Sequence, residues 1–348
     1  MFLPPVSALI LINLPFISLI SALNDNLTGP GLAWPNKLWV PMGGFTSPGT
    51  IISSYYNWDS NPLIPSIKDL SNSIIWEIPF PFIPMLWGCN ETYIKPFQKN
   101  LLKNFNNILL TSKKEILGFN EPDHPQQSFC EPKQAALIWK EILEPLKLKG
   151  FRLGSPAVTN GEIGKKRFKD WFDACKGECN PDFLALHWYD IIPQNFIEHI
   201  EYYHNEYNLP IWITEYAPQN FSVYNSETGQ YDGQATYIEV QRFMDITTAY
   251  MKSVDWVERW FWFGAMYDMQ GVNELDCLFD AGGKPNRTGA LNELGVQYAG
   301  SNGSVTIQNS MSSGTEDTTS RASGKTKLYL IGITCCLIIT EYLIEQLK

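Results

Sequence analysis

The chain has little of what marks several large classes of protein. Its 36 acidic residues outnumber 26 Lys and Arg, giving a formal net charge of -10, and no stripe of basic side chains is present to neutralise a phosphate backbone. No glycine-rich phosphate loop follows the first predicted strand, where the sequence reads GLAWPNKL. We therefore expect no nucleic-acid partner, and an open doubly wound nucleotide-binding sheet is disfavoured.

Charged residues are also scarce, at 18% of 348 residues, whereas 44% are hydrophobic. This balance predicts a globular chain that buries one large core. Aromatic residues reach 14%, with 12 Trp and 16 Tyr. Because Trp and Tyr carry a polar atom that needs a partner, we expect some of these rings to face a ligand.

Both termini have the composition of processing signals. Residues 2–22 are apolar and uncharged and end in small residues, which predicts a signal peptide over 1–22, with a buried N-terminal segment as the alternative. Residues 301–327 are rich in Ser, Thr and Gly and predict a flexible linker. The apolar run 328–339 would extend about 18 Å as a helix, against about 30 Å of bilayer hydrocarbon. With the small residues 313–315, this run predicts a lipid (GPI) attachment signal, and a retained membrane tail is its rival.

These signals predict a secreted protein at the cell surface or wall. The folded domain would span 23–300, and the tail 328–348. Five N-x-Ser/Thr sequons are consistent with secretion and are the candidate N-glycosylation sites; they lie at Asn26, Asn90, Asn220, Asn286 and Asn302.

The cysteines outside the tail suggest disulfides rather than a metal site. Cys175 and Cys179 are four residues apart, within disulfide reach on one helical turn. No His or second Cys pair follows at ligand spacing, so a metal pair is disfavoured. Cys89 and Cys130 could form a second bridge, which would leave Cys277 over.

Eight short apolar or β-rich runs alternate with amphipathic, helix-like stretches such as 131–150 and 236–254. This alternation over about 270 residues predicts a single parallel (β/α)8 barrel. The runs are 31–34, 53–58, 82–87, 116–119, 152–158, 183–189, 211–214 and 259–263.

In such a barrel the chemistry lies at the C-terminal ends of the strands. Glu121 ends the fourth run and Glu215 the seventh, so the two acids should face one another across the barrel mouth. A pair of this kind cleaves a glycosidic bond, one acid protonating the leaving oxygen and the other attacking or activating water. Aromatic and amide residues at the same ends are candidates for sugar binding: Trp34, Asn57, Trp58, Trp87, Asn120, His187, Tyr189, Tyr216 and Trp262.

Seven motifs occur in order along the chain: GLAWP, YYNWD, PMLWG, GFNEPD, FLALHWY, ITEYA and WFWFG. Together they resemble glycoside hydrolase family 128, the fungal alkali-sensitive-linkage-like glycosidases, over about residues 31–300. The resemblance implies a (β/α)8 barrel acting on β-1,3-glucan by a retaining mechanism, with Glu121 as acid/base and Glu215 as nucleophile. It places His187 beside the nucleophile and implies no metal or cofactor. We expect a monomer whose partner is the polysaccharide.

Less specific interpretations stay open at this point. Asn-Glu-Pro after a strand can be a turn that starts a helix, with Glu121 accepting from free backbone amides. His187 on an apolar strand is more often a buried core residue than a catalyst. A non-catalytic glucan-binding wall protein would keep the aromatics and need neither acid, and a β-1,4-glucan or mannan hydrolase would keep both.

Overall fold

A computed structural model describes residues 28–36, 40–47, 49–63, 78–104, 114–280 and 288–300. The predicted signal peptide, the linker, the tail and the sequons at Asn26, Asn286 and Asn302 lie outside these residues. Of the described sequons, Asn90 is exposed and Asn220 is half-buried. No helix within the described ranges is long and apolar enough to cross a membrane.

The described residues alternate between strands and helices, as the sequence predicted. The strands are β1 (Gly29–Ala33), β2 (Tyr55–Tyr56), β3 (Glu115–Ile116), β4 (Arg152–Leu153), β5 (Leu184–Tyr189), β6 (Ile211–Ala217), β7 (Tyr224–Asn225), β8 (Gln230–Tyr231) and β9 (Val257–Trp262). The α-helices are α1 (Glu91–Asn104), α2 (Pro132–Ile138), α3 (Glu162–Cys175), α4 (Pro193–Tyr207), α5 (Tyr237–Ser253) and α6 (Glu293–Ala299).

Local sequence explains where several helices begin and end. Proline occupies the first position of α2 and α4, where its missing N–H would have no helical partner. Helix α5 begins with a capping box in which Thr236 and Glu239 each bond the other's backbone N–H. Helices α3 and α4 end at residues in the left-handed region, Lys176 and Asn208.

The central sheet is parallel throughout. Five strands are ordered β2-β1-β9-β6-β5, and β3 pairs with β4. Isolated parallel bridges connect the remaining segments, joining Tyr55 to Phe82, Met85 to Leu117, and Gly154 to Phe183. Followed from one segment to the next, these contacts pass through all eight predicted runs and return to β1.

Four of the eight runs form no strand longer than two residues, and of 53–58 and 116–119 only Tyr55, Tyr56 and Ile116 lie in a strand. The run 82–87 contributes only bridges, and of 152–158 only Arg152 and Leu153 form a strand. Pro84 and Pro156 interrupt these runs and cannot donate to a ladder. The carbonyl of Pro84 still accepts from Leu117 N–H at 2.9 Å, so the segment keeps its place beside β3.

Strand alternation separates two apolar layers. One cluster contains Ala33, Tyr56, Leu117, Trp212 and Phe261 and fills the space enclosed by the strands. The larger cluster contains the intervening strand residues, which pack against the helices. A side chain's position within its strand therefore decides whether it can reach the enclosed face.

A buried ionic cluster occupies the N-terminal ends of the strands. The Arg259 guanidinium is 2.7 Å from Glu115 in an ion pair that is almost wholly buried. Arg152 bonds Glu115 at 3.0 Å and Glu258 at 2.9 Å. The indole N–H of Trp212 donates to Glu258 at 2.8 Å. These groups lie at the end of the sheet opposite Glu215 and have a structural role.

We expect Arg259→Met to destabilise the fold by about 3 kcal/mol, because it removes one cation from the buried Glu115 carboxylate. Urea unfolding would measure the change. Lys169→Met is the matched control, since its ion pair with Asp173 is exposed and should contribute little. Equal losses from the two substitutions would contradict a structural role for the buried cluster.

Both predicted disulfides are confirmed. Cys89 bonds Cys130 with a Cα–Cα distance of 6.1 Å, and Cys175 bonds Cys179 at 5.4 Å. The first bridge ties the start of α1 to the end of the loop that follows Glu121. Cys277 lies outside both bridges, and its thiol contacts the Met266 carbonyl oxygen at 3.1 Å.

Asp276 is a buried acid whose carboxylate oxygens have no hydrogen-bond partner among the described residues. Burial raises the pKa of Asp276 well above its usual value. The folded state therefore retains this proton to higher pH than the unfolded chain. The contribution of protonated Asp276 to the free energy of unfolding is fully present below the pKa of the unfolded chain, about 3.9. It is lost as the pH rises toward the pKa in the folded state.

Asp276→Asn should remove this pH dependence, because the amide stays neutral. We expect its stability relative to the wild type to increase with pH, by about 1.4 kcal/mol per pH unit between the unfolded and folded pKa values. Urea unfolding at a series of pH values would measure it. Asp255→Asn, at an exposed position, is the control. Parallel pH profiles for the wild type and Asp276→Asn would contradict the burial of an unpaired acid.

Candidate active site

The two predicted catalytic acids lie at the same end of the sheet. Glu215 is on β6, and its Cα pairs in register with that of His187 on β5. Asn120 bridges Ala157, and the N–H of Glu121 donates to the Ala157 carbonyl at 2.7 Å. Adjacent parallel segments thus bring both acids and the histidine to one edge.

Glu215 is held by two hydrogen-bond donors. The Trp58 indole N–H donates to its Oε1 at 2.7 Å, and the Tyr189 hydroxyl donates to its Oε2 at 2.7 Å. The Glu215 side chain is 7% exposed. Phe263 packs between the two donors, with ring centroids 6.0 Å from Trp58 and 5.7 Å from Tyr189. The orientation of the carboxylate is therefore fixed before any substrate arrives.

His187 lies between the two acids and is fully buried. Its Nδ1 is 2.9 Å from Oε1 of Glu121, and its Nε2 is 3.5 Å from Oε1 of Glu215. One carboxylate oxygen from each acid and one ring nitrogen all lie within 4.8 Å of one another. The acids therefore face each other closely, as the opposed strand ends predicted.

Glu121 is in an unusual backbone conformation for its residue type. Its φ is +44°, in the left-handed region, and Trp58 in the same site has φ +55°. Such conformations are strained in non-glycine residues and concentrate at functional sites. Turns follow Glu121, and α2 begins only at Pro132. Glu121 therefore does not start a helix, contrary to the alternative that the Asn-Glu-Pro sequence left open.

The neighbouring charges and burial shift the pKa values of Glu215, His187 and Tyr189. Burial raises the pKa of Glu215, the neighbouring Glu121 adds to the increase, and His187, Trp58 and Tyr189 oppose it. Burial opposes the charged form of His187, but the two carboxylates outweigh it and raise the pKa of the imidazole. Burial and the Glu215 carboxylate raise the pKa of Tyr189, which keeps its hydroxyl a donor.

Two further predicted residues, Asn120 and Trp87, lie at the same end of the sheet as the acids. The Asn120 amide N–H donates to Gln127 at 3.3 Å, while its buried Oδ1 has no partner among the described residues. Trp87 is half-buried above the inner apolar layer and packs on Tyr93 at 4.6 Å between ring centroids. The partly exposed Trp87 indole is suitable for a stacking contact, whereas the Asn120 amide oxygen lies below the surface beside Glu121.

The structure corrects three predicted sugar-binding residues. Trp34, Tyr216 and Trp262 are fully buried in the layer between strands and helices. Trp34 packs on Phe45 and Phe279, and Tyr216 packs on Trp262. Tyr216 and Trp262 point away from the cleft because they alternate with Glu215 and Phe263 along their strands. None of the three offers a face to a ligand.

Asn57 also differs from its predicted role. Its amide N–H donates to the Asn61 carbonyl at 3.1 Å, and its Oδ1 accepts from the Asp59 N–H at 3.2 Å. The side chain therefore closes a local turn that places Trp58. Its contribution to the site is to position its neighbour rather than to offer a free amide.

Sequence reasoning missed residues that support the acids. Phe263 lies between Trp58 and Tyr189, the two donors to Glu215. Because side chains alternate along a strand, Phe263 shares the inward face of Phe261, and this alternation would have predicted Phe263 rather than Trp262 as a site residue. Tyr56 is buried beneath the site and donates to the Thr214 carbonyl at 2.6 Å, next to Glu215. Gln127, which holds Asn120, gave no signal because it lies in an irregular loop.

Glu121, His187 and Glu215 are also the one group of three described residues with a spacing that could hold a metal ion. Two carboxylate oxygens and an imidazole nitrogen are suitable ligands for a divalent cation. The histidine, however, already bonds Glu121 through Nδ1. The sequence-based expectation that no metal is needed stays a prediction.

Two opposed acids above a parallel sheet, bordered by aromatic rings and amides, define a glycoside hydrolase. The sequence profile of the family described as glycosyl hydrolase catalytic core matches residues 31–298. The chain belongs to this family, within glycoside hydrolase family 128, and the resemblance noted in the sequence is confirmed.

A curated relative and solved structures agree with this assignment. The chain is 29% identical over 273 residues to alkali-sensitive linkage protein 1 of Schizosaccharomyces pombe; the match covers 77% of this chain and 44% of that protein, less than half its length. Among solved structures, a subgroup V exo-β-1,3-glucanase of the family from Cryptococcus neoformans is 27% identical to this chain, with a TM-score of 0.60. That match covers 78% of this chain and 97% of the other. A subgroup I endo-β-1,3-glucanase from Amycolatopsis mediterranei, in complex with laminaritriose, is 24% identical with a TM-score of 0.57, covering 79% and 98%.

Proposed function

We propose that the protein hydrolyses β-1,3-glucan by a retaining double displacement in a single (β/α)8 barrel. The observation that carries this proposal is the separation of the acids, with a carboxylate oxygen of Glu121 within 4.8 Å of one from Glu215. In retaining glycosidases the carboxyl groups are about 5 to 5.5 Å apart, whereas inverting enzymes leave about 6.5 to 9.5 Å for a water.

The hydrogen bonds support different roles for the two acids. Trp58 and Tyr189 both donate to Glu215 and so favour its anion against the effect of burial. We assign Glu215 as the nucleophile that attacks the anomeric carbon. Glu121, whose side chain is 12% exposed, has no comparable pair of donors among the described residues and is assigned as the acid/base.

The reaction consists of two displacements at the anomeric carbon. Glu215 forms a covalent bond to the anomeric carbon as the glycosidic C–O bond breaks, and Glu121 transfers its proton to the leaving oxygen. Glu121, now ionised, then takes a proton from a water whose oxygen attacks the same carbon, and Glu215 leaves as a carboxylate. His187 holds Glu121 in place through Nδ1 in both steps.

The substrate proposal follows from the relatives. The two solved relatives described above are β-1,3-glucanases, one exo-acting and one endo-acting. Since both modes occur among them, we propose the linkage and leave the mode to experiment. The aromatic rings around Glu215 offer flat faces for glucosyl rings.

Incubating the purified protein with laminarin, carboxymethylcellulose and mannan and counting new reducing ends tests the proposal. We expect new ends from laminarin alone, with the rate unchanged by EDTA. Binding to laminarin without hydrolysis would instead indicate a glucan-binding wall protein. Preferential release from carboxymethylcellulose or mannan would contradict the linkage, and loss of activity with EDTA would indicate a metal at the acids.

We also propose that the protein acts outside the cell as a monomeric glycoprotein, in wall remodelling. The apolar N-terminal segment, the Ser/Thr-rich linker and the short apolar C-terminal run support this location. A phosphatidylinositol-specific phospholipase should release a lipid-anchored protein from intact cells. Detection of Cys335 and Cys336 in the mature protein by mass spectrometry would favour a retained membrane tail.

A further inference from the structure

A hairpin interrupts the chain between β6, which carries Glu215, and α5. It is formed by β7 and β8, which pair antiparallel with Tyr224 opposite Tyr231. Three large apolar side chains within four residues are exposed here: Phe221 at 45%, Val223 at 55% and Tyr224 at 59%. We call Phe221, Tyr224 and Tyr231 the hairpin aromatics.

The hairpin aromatics are continuous with the catalytic centre. The ring of Tyr189, whose hydroxyl donates to Glu215, lies 5.5 Å from the ring of Phe221. Phe221 lies 5.1 Å from Tyr231, and Tyr231 lies 5.2 Å from Tyr224. A row of rings in mutual contact therefore runs from the proposed nucleophile to the exposed face of the hairpin.

Polar side chains at its base hold the hairpin in one arrangement. Asn220 N–H donates to Gln234 at 3.0 Å, and the Gln234 amide donates to the Asn220 carbonyl at 2.8 Å. Gln219 accepts from the Asn273 N–H at 2.7 Å, which ties the base to the loop after β9. A surface fixed in this way loses little conformational freedom when a ligand binds.

We propose that the hairpin aromatics bind glucosyl units of the substrate remote from the bond that is cleaved, and so make the enzyme prefer longer chains. This inference rests on the proposed function. The row begins at Tyr189, so a polymer held at Glu215 that continues in this direction lies along it. Exposed aromatic rings offer a sugar their apolar faces, and the neighbouring amides offer hydrogen bonds.

The test compares laminaritriose with laminarihexaose. Tyr224→Ala should lower kcat/KM for laminarihexaose by about 10-fold, the loss of one ring contact, and leave laminaritriose within about 2-fold. Tyr224→Phe, which retains the ring, should behave as the wild type. Tyr202→Ala removes an exposed aromatic ring from α4, outside this row, and should affect neither substrate.

The outcomes separate this inference from the proposed function. A wild type that cleaves laminarihexaose together with an unaffected Tyr224→Ala variant would overturn the hairpin site alone. An equal loss on both substrates would overturn it as well, because the hairpin would then act on the catalytic centre. A wild type that neither binds nor cleaves either oligosaccharide would overturn both proposals.

Discussion

Glu215→Gln should lower kcat on laminarin by at least about 10⁴-fold, since it removes the proposed nucleophile while keeping the size of the side chain. The amide still accepts from Trp58 or Tyr189, so the site should keep its geometry. We expect the thermal unfolding midpoint and the Kd for laminarihexaose, measured by calorimetry, to stay near the wild-type values.

The matched control is Glu162→Gln, which neutralises an exposed carboxylate on α3. It should leave kcat unchanged. A Glu215→Gln enzyme that hydrolyses laminarin near the wild-type rate would remove Glu215 as the nucleophile. A variant that loses activity because it is unfolded would say nothing about the role of Glu215 in catalysis. The thermal unfolding midpoint is therefore measured on the same sample.

Glu121→Gln should lower kcat on laminarin by about 10²- to 10⁴-fold, because the leaving oxygen receives no proton. A nitrophenyl glycoside of a laminari-oligosaccharide needs no proton on its leaving group. With this substrate the first step should be nearly normal, and the glycosyl-enzyme should accumulate because no base activates water.

Azide separates the roles of the two acids. In a Glu121→Ala enzyme, azide should restore turnover of the nitrophenyl substrate by attacking the glycosyl-enzyme, and the product should be the β-glycosyl azide. An α-glycosyl azide from this variant would mean that the enzyme lacks its nucleophile. The roles of Glu121 and Glu215 would then have to be exchanged.

Strand positions were predictable because apolar runs with helical stretches between them have a distinct periodicity. The run 211–214 became β6, which continues to Ala217 and therefore contains Glu215 within its ladder. The lengths of the ladders were not predictable from hydrophobicity. Two runs that contain a proline, Pro84 or Pro156, and two that contain none, 53–58 and 116–119, form only bridges or two-residue strands, although all four remain paired with their neighbours in the sheet.

The acids were predictable, and several of their neighbours were not. Glu121 and Glu215 are carboxylates at the ends of apolar runs. Few other residues in such positions could take part in catalysis. To choose which aromatic residues face the cleft, one needs to know which alternate residues of each strand point toward it. His187 and Tyr189 share the face of β5 that meets the acids, whereas Trp188 between them packs on His199 of α4.

Irregular segments carried the least information. Gln127 and the hairpin aromatics depend on loop paths that no periodicity describes, and the conformation of Trp58 depends on a turn closed by Asn57. The bond from Trp58 to Glu215 joins residues 157 positions apart and exists only because the parallel strands place their C-terminal ends together.

The anomeric configuration of the first product tests the central claim most directly, because it reports whether Glu215 attacks the sugar or a water does. Proton NMR of a β-1,3-glucan oligosaccharide during the first moments of hydrolysis, before mutarotation, is the measurement. With one carboxylate oxygen of Glu121 within 4.8 Å of one from Glu215, we predict that the β-anomer appears first. An initial α-anomer would contradict the double displacement and the assignment of Glu215 as the nucleophile.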